Sequence, residues 1–441
     1  MKPQISKPKD LASFVYDRLH NNTIDHDLHN IEVFEELFEV LFYTSLHSEE
    51  SELIRVTVTL FDPNNPELKT RKYESTDKWS YVPFEKILPL TVSNLVKLSK
   101  AADPWSSSVA VFYDNDFNLI ITGLLDQAVH SQSYINFEAE VRPDQPGYFN
   151  ASITGIGCIA VTTEYDLIAT LKQDSLVTEQ LEVLRSGQVG DLVKKLSRSV
   201  NKKVGEYLKI NHADEDSSDW DYPKLIVCRN TIARILNQIK NYHHGGAILF
   251  TNDEDNLDIK YPINYDRLMI AMSNLINARI SISNMNDEDD LQKTITIEEH
   301  TIINNFQAKK RSATNELKGA IRFVASQSCV DGLVLFNFDM IVKGFGTVIK
   351  NEECPERIYV SSLAKAIEKK LTTLNTEKFG TRHRSMFAYC DNHPGSLGFI
   401  ISQDGDIRAV TKVGSKLVMW ENIQTLKTIR SMFFKRAKKK K

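Results

Sequence analysis

"IRFVASQSCVDGLVLFNFDMIVKGF", residues 321–345, changes its hydrophobic period in mid-stretch, and that change decides the fold class. Ile321 and Val324 continue a helical face begun by Leu317 and Ala320. Asp331-Gly332 then supplies turn chemistry, and Leu333–Phe336 is an unbroken apolar run of strand length. A helix that feeds a buried strand through a glycine turn is a unit of α/β architecture. A second stretch, "ILNQIKNYHHGGAILFTNDEDNLDI" (235–259), repeats the order of helix, glycine turn, apolar strand and polar turn. Two helix-to-strand connections converge on this pattern because glycine commonly ends helices there, with distant duplication as the alternative. Its His243-His244-Gly245-Gly246 lacks a carboxylate and reads as a structural turn.

The same periods extend in both directions. Toward the N-terminus, residues 31–47 read as an amphipathic helix, 53–61 as a strand, 84–102 as helical, and 107–125 as two strands joined by an Asp-Asn-Asp turn. Residues 146–171 repeat that hairpin design, and 175–208 read as helical. The acidic segment "NHADEDSSDWDYP" (211–223) reads as a linker or long loop, and "NMNDEDD" (284–290) as a second break before a long helix from about 297 to 326. Beyond residue 345, "SSLAKAIEKKLTTL" (361–374) reads as a helix with Leu363, Ile367 and Leu371 aligned, and "SLGFIISQDGDIRAVTKVG" (396–414) as a hairpin. The expected architecture is α/β (α+β mixed): a C-terminal mixed β-sheet flanked by helices, preceded by a larger αβ region.

Charge divides the chain as well. Residues 301–441 carry 25 Lys and Arg against 12 Asp and Glu, a balance of +13, and the preceding 300 residues carry 29 against 46, or −17. A basic C-terminal part suits an anionic ligand such as a nucleotide phosphate, whereas the acidic remainder disfavours wrapping by nucleic acid. No apolar run reaches the roughly 20 residues that cross a bilayer, so a cytoplasmic location without a membrane span is expected. The five cysteines are scattered and read as reduced, mostly buried thiols. Asp25, His26 and His29 have a ligand-like spacing that is usually incidental, and the tail "FFKRAKKKK" reads as a solvated end.

The densest chemistry is "EKFGTRHRSM" (377–386), where Arg382-His383-Arg384 follow a Gly380-Thr381 turn and precede the helical "SMFAYC". A glycine admits close backbone approach, free N–H groups at a helix start suit phosphate oxygens, and arginines add forked, permanent donors. Asp331, at a strand edge, could hold a divalent metal or take a proton from an attacking hydroxyl. Each piece alone is commonplace.

Together, Asp331-Gly332 before a buried strand and "GTRHRS" (380–385) resemble the two defining motifs of the diadenylate cyclase domain, and "LGFIISQDGDIRAV" (397–410) resembles that family's closing hairpin. The resemblance covers residues 305 to 425. It implies a central mixed β-sheet flanked by helices that condenses two ATP into cyclic di-AMP with release of two pyrophosphates, using magnesium or manganese. By the same resemblance Asp331, Arg382, His383 and Arg384 are the catalytic set, with Asp331 as the metal-linked carboxylate. Gly332, Leu333, Gly380, Thr381, Ser385, Ser402 and Gln403 are implied at the ATP site. The family pattern has Ala where Leu333 stands and Glu where Gln403 stands, with Asp404 following. The connection 350–378 is longer than the family's and reads as an inserted helix. Because each ATP must attack the other, the resemblance also implies face-to-face self-association of two such domains. The expected division is 1–210 as a sensor-type regulatory region with an unknown ligand, 224–290 as a second regulatory segment, 300–434 as the cyclase domain and 435–441 as the tail. The "HHGGAILF" turn carries most of the sensor likeness. The alternative reading is a catalytically weak nucleotide-binding sensor on the same fold.

Overall fold

The computed structural model describes residues 5–21, 30–64, 79–103, 106–114, 116–127, 149–163, 166–178, 181–212, 216–242, 244–287, 297–403, 405–423 and 425. Asp25, His26, His29, His243, Asp404 and the tail 435–441 lie outside them. The chain divides into two compact units, Met1–Glu179 and Gln180–Lys441.

The first unit contains helices α1 (Pro8–Asn21), α2 (Ile31–Ser45) and α3 (Val92–Leu98). Its strands are the short pair β1 (Ser48–Glu49) and β2 (Glu52–Leu53), then β3 (Thr57–Leu60), β4 (Trp79–Pro89), β5 (Ser107–Tyr113), β6 (Leu119–Gln127), β7 (Phe149–Gly155), β8 (Cys158–Thr163), β9 (Asp166–Lys172) and β10 (Ser175–Val177). Strands β3–β10 form one sheet in the order β10-β9-β8-β7-β3-β5-β6-β4, in which β3 and β5 run parallel and the other pairs antiparallel. Helix α2 starts at Asn30, whose side chain accepts from the Glu32 amide. Its Val33, Phe34, Leu37, Phe38 and Leu41 recur at helical spacing and are buried in one core with Val58, Val109, Phe149 and Val161. On the opposite parity of the same strands Thr59 bonds the Ser108 hydroxyl and the Asn150 side-chain oxygen, each at 2.6 Å, so these buried polar groups are satisfied.

The second unit contains helices α4 (Gly187–Leu196), α5 (Arg198–Asn211), α6 (Asp221–Asn241), α7 (Arg267–Asp287), α8 (Ile297–Gln327) and α9 (Thr381–Asn392). Its strands are β11 (Gly246–Phe250), β12 (Leu257–Tyr265), β13 (Leu333–Phe336), β14 (Val342–Ile349), β15 (Arg357–Ser361), β16 (Leu371–Asn375), β17 (Leu397–Ile401), β18 (Ile407–Val413) and β19 (Lys416–Trp420). They form a nine-stranded mixed sheet in the order β12-β14-β13-β11-β17-β18-β19-β15-β16. Strands β11, β13 and β17 are buried along their whole length, which is why they read as continuous apolar runs. A Cβ on Gly246 would lie 2.8 Å from Ile239 of α6, so α6 covers that face of β11. Met386, Phe387 and Cys390 of α9 cluster with Leu249, Leu335 and Ile400 on the other.

The sequence echo has a structural counterpart. Strands β11 and β13 are parallel neighbours with Ile248 opposite Val334, Leu249 opposite Leu335 and Phe250 opposite Phe336, the pairing that the two sequences give when aligned on their glycines. Their following strands β12 and β14 pair with each other.

Several expectations are corrected. Residues 361–374 form no helix: Ser361 ends β15, a single 3₁₀ turn spans Glu368–Lys370, and Leu371–Asn375 is the edge strand β16 paired along β15. The Leu363 carbonyl accepts from the Trp420 indole instead of serving a helix, and β-branched Thr372 and Thr373 suit the strand. The insertion is therefore a hairpin. Residues 84–89 belong to strand β4 rather than a helix, drawn into register by β6. Residues 175–177 are strand β10, not helix. Within 211–223, a 3₁₀ turn (Ser217–Trp220) leads directly into α6, with Trp220 buried and Pro223 in the first turn, where its missing N–H costs nothing. The units also divide elsewhere than the expected boundaries: α4 and α5 belong to the second unit, and β11 and β12 share a sheet with every strand from β13 to β19. An acidic loop marks a surface turn, but it carries no information about which strands pair across it.

Candidate functional site

Parallel β11 and β13 begin at the same edge of the sheet, and β17, antiparallel to β11, ends there with Gly246 opposite Ile401. Three chain segments therefore converge: Gly245 just before β11, Asp331-Gly332 just before β13, and Ser402-Gln403 just after β17. Helix α9 starts at the same edge. Together Gly380, Thr381, Arg382 and His383 from its first turn and Ile400, Ile401, Ser402 and Gln403 from the end of β17 line a cavity of about 340 Å³.

Glycine is required at two of the converging points. Gly332 has φ +114°, and a Cβ there would sit 2.8 Å from the Gly346 Cα and 2.8 Å from the Thr347 carbonyl oxygen of β14. Gly245 has φ +67°, and its Cβ would meet the Ile401 carbonyl at 2.9 Å and the Arg382 guanidinium at 3.1 Å. The Arg382 side chain thus lies across the backbone of the Gly245-Gly246 turn.

The start of α9 is capped by Gly380, which has no side chain to bond the first turn. The His383 and Arg384 amides already bond the Gly380 carbonyl, leaving those of Thr381 and Arg382 outside the helical ladder and facing the anion-favouring end of the helix dipole. The Ser385 hydroxyl donates to the Thr381 carbonyl at 3.0 Å, and Arg384 is exposed.

His383 is half-buried among the rings of Phe379 (5.4 Å) and Phe387 (6.1 Å). Arg408 Nη1 donates to its Nε2 at 3.1 Å. Burial first, then the Arg408 and Arg382 charges, push its pKa down to about 4, so at neutral pH the ring is uncharged. Arg408 is held in turn by Glu421 (Nε to Oε1, 2.9 Å) and by Asp406 at 3.7 Å. Ser402 serves its own turn: its Oγ accepts from the Asp406 amide at 3.1 Å, and its amide donates to the Asp406 carbonyl at 2.9 Å.

The cavity gathers six of the expected residues: Gly380, Thr381, Arg382, His383, Ser402 and Gln403. Asp331 is exposed at the same edge outside the lining, just before β13, which β11 separates from β17 by two strand spacings, about 10 Å. Leu333 is 5 % exposed and packs with Leu249, Met386 and Phe387, so its side chain belongs to the core rather than to a nucleotide contact. Sequence reasoning missed Gly245 and Arg408. The first was signalled by the Gly-Gly pair before an apolar strand, and the second by nothing local. Among the described residues no three His, Cys, Asp or Glu side chains cluster as a metal cage. A single exposed carboxylate, Asp331, would suit an ion that takes its other oxygen ligands from outside the protein, and not an all-protein site.

Among the described residues no helix is long and apolar enough to cross a membrane. Residues 24–126, all within the first unit, match the family described as "Probable sensor domain DACNV", a sensor domain found in diadenylate cyclases. The matched residues take in α2, α3 and strands β1–β5 with all but the last residue of β6, and Gly246–Phe250 of "HHGGAILF" is β11, in the sheet of the second unit. No curated protein matches the chain.

Proposed function

We propose that the second unit is a diadenylate cyclase that joins two ATP into cyclic di-AMP and releases two pyrophosphates, and that the sensor-type first unit regulates it. The observation that carries this reading is the cavity in which the unpartnered amides at the start of α9, Arg382 and His383 face Ser402 and Gln403, at the sheet edge that also bears Asp331. Its donors are arranged for a polyphosphate: backbone N–H groups at a helix N-terminus, a guanidinium beside a glycine turn, and a neutral imidazole.

In each half-reaction the ribose 3′-hydroxyl of one ATP attacks the α-phosphorus of the other. A new P–O bond forms, the α–β bridge breaks, and pyrophosphate leaves with its charge on the α9 donors. The hydroxyl proton passes to the Asp331 carboxylate or, where Asp331 would hold a divalent ion, to solvent. Asp331 is the residue that would hold magnesium or manganese, which would supply charge neutralisation at the reacting group. Two half-reactions close the ring, so two units must face each other, and the active species is a dimer or larger.

The test is mass-spectrometric product analysis after incubating the full chain with ATP and magnesium or manganese, beside Asp331→Asn. Cyclic di-AMP from the wild type and none from the variant is the expected result. ATP bound by both but converted by neither overturns the enzyme reading in favour of a nucleotide-binding sensor.

A further inference from the structure

His383 has two ring nitrogens, and the structure determines the role of one. An arginine side chain only donates hydrogen bonds, so the 3.1 Å contact from Arg408 Nη1 makes Nε2 an acceptor. In a neutral imidazole the proton then resides on Nδ1, which has no hydrogen-bond partner among the described residues. Arg408 is itself fixed. It sits on β18 opposite Ile400, a lining residue of the cavity, and its guanidinium is drawn to Glu421 on one side and Asp406 on the other. The Phe379 and Phe387 rings, themselves in edge contact at 5.1 Å, both pack against the imidazole.

We propose that Arg408 is a positioning residue that locks His383 into the Nδ1–H tautomer, so that His383 offers an anionic ligand one oriented hydrogen bond rather than a mobile positive charge. That the ligand is a triphosphate rests on the cyclase reading; the tautomer lock does not. The charged groups facing His383 are Arg382 on its own helix and Arg408 from β18, with Glu421 and Asp406 acting only through Arg408. Two flanking cations oppose a third charge on the imidazole, so the ring adds directionality to a site whose charge the arginines already supply. Arg408 does not line the cavity and acts through His383.

The experiment is long-range ¹H–¹⁵N correlation spectroscopy of the ligand-free full chain labelled at histidine, with His383→Gln assigning the signals. Wild type is expected to show a neutral His383 protonated at Nδ1 from pH 6 to pH 8. In Arg408→Gln the tautomers mix and the pH of half-protonation rises, while staying below the ordinary value of about 6.5 because burial and Arg382 remain. ATP affinity falls roughly 3- to 10-fold, the weakening expected when one hydrogen bond to a charged ligand loses its orientation. Glu421→Gln keeps Arg408 but releases it and gives a smaller change in the same direction; it carries the test if Arg408→Gln fails to fold. A wild-type ring protonated at Nε2, or an unchanged tautomer in both variants, overturns the proposal. A locked tautomer that loosens in the variants, in a protein that makes no cyclic di-AMP, sustains the role of Arg408 and counts against the cyclase reading alone.

Discussion

The two ends of helix α9 carry a histidine each, ten residues apart, and the fold treats them oppositely. At the N-terminal end His383 lies between arginines and is held uncharged. At the C-terminal end His393 bonds Asp253 through Nδ1 and Glu352 through Nε2, both at 2.7 Å, and stacks on Tyr389 with ring centroids 4.1 Å apart. Burial works against its charge, but the hydrogen bonds to Glu352 and Asp253 outweigh that, and its pKa is raised. The helix dipole reinforces both outcomes, disfavouring a cation at the start and favouring one at the end. One end keeps cations in excess over an open cavity, a setting that would suit an anion. The other is occupied by partners from the protein itself: His393 bonds two carboxylates, Glu352 also accepts from Asn256 and Asn392, and the Tyr389 hydroxyl donates to the Asp253 carbonyl. That end ties the loops after β11 and β14 to α9.

The contrast is broken most severely by inverting the charge at the receiving end. Arg382→Glu replaces a forked donor with a carboxylate, and ATP affinity by calorimetry is expected to fall at least about 100-fold. His393→Gln, at the far end, leaves that affinity within about twofold. Equal losses in both variants would show that the two ends are not functionally distinct.

A second contrast lies in the backbone. Gly332 and Gly395 both have positive φ, +114° and +94°, but a Cβ on Gly332 would strike β14 whereas one on Gly395 meets nothing within 4 Å. Gly332→Ala is expected to cost about 2–4 kcal/mol from strain plus overlap, and Gly395→Ala about 1 kcal/mol from strain alone. Denaturant melts of the two variants measure the difference. The site end is thus the end where close backbone approach is built in.

The closed end sharpens the comparison through pH. His393→Gln removes two charge-assisted hydrogen bonds and is expected to cost about 1–2 kcal/mol near pH 6. The sign follows from the shifts. A raised histidine contributes stability fully present below its unfolded pKa of about 6.5 and lost as pH rises through the folded value. Asp253 and Glu352 are lowered, so their share is present above their unfolded values of about 4 and lost as pH falls through the folded ones. Melts should therefore show the gap between wild type and His393→Gln widest near pH 5–6 and narrowing toward pH 8.5.

These two environments also measure what the sequence could reveal. The helix of α9, the buried strands β11, β13 and β17, and the turn glycines follow from local period and turn chemistry, and the motif Gly380–Ser385 announced itself by its density of donors. The partners that decide the two histidines are remote: Arg408 lies 25 residues from His383, and Asp253 is 140 residues from His393. No local pattern encodes such pairings, because they depend on strand order. For the same reason the hairpin β15–β16 passed for a helix. Leu363, Ile367 and Leu371 match a 3.6-residue period, and only the neighbouring strand shows that Leu371 pairs with Ser361. The unit boundary was missed on the same ground, since β11 joins strands that lie more than 80 residues later.

The smallest expected effect is at His383 itself, and it is the most direct check on the receiving end. With a pKa pushed down to about 4, the ring is only a few per cent charged at pH 5.5 and gains essentially nothing from pH 6 to pH 8. If the positive charge that receives phosphate comes from Arg382, the arginine that lines the cavity, the affinity for a ligand that keeps its charge over this range should stay level within about twofold. A sulfonate-bearing nucleotide analogue meets that condition, whereas ATP gains a proton on its terminal phosphate near pH 6.5 and would confuse the measurement. An affinity that climbs about tenfold between pH 7 and pH 5.5 would mean that His383 binds as a cation, and the two ends of α9 would then differ in occupancy and not in charge.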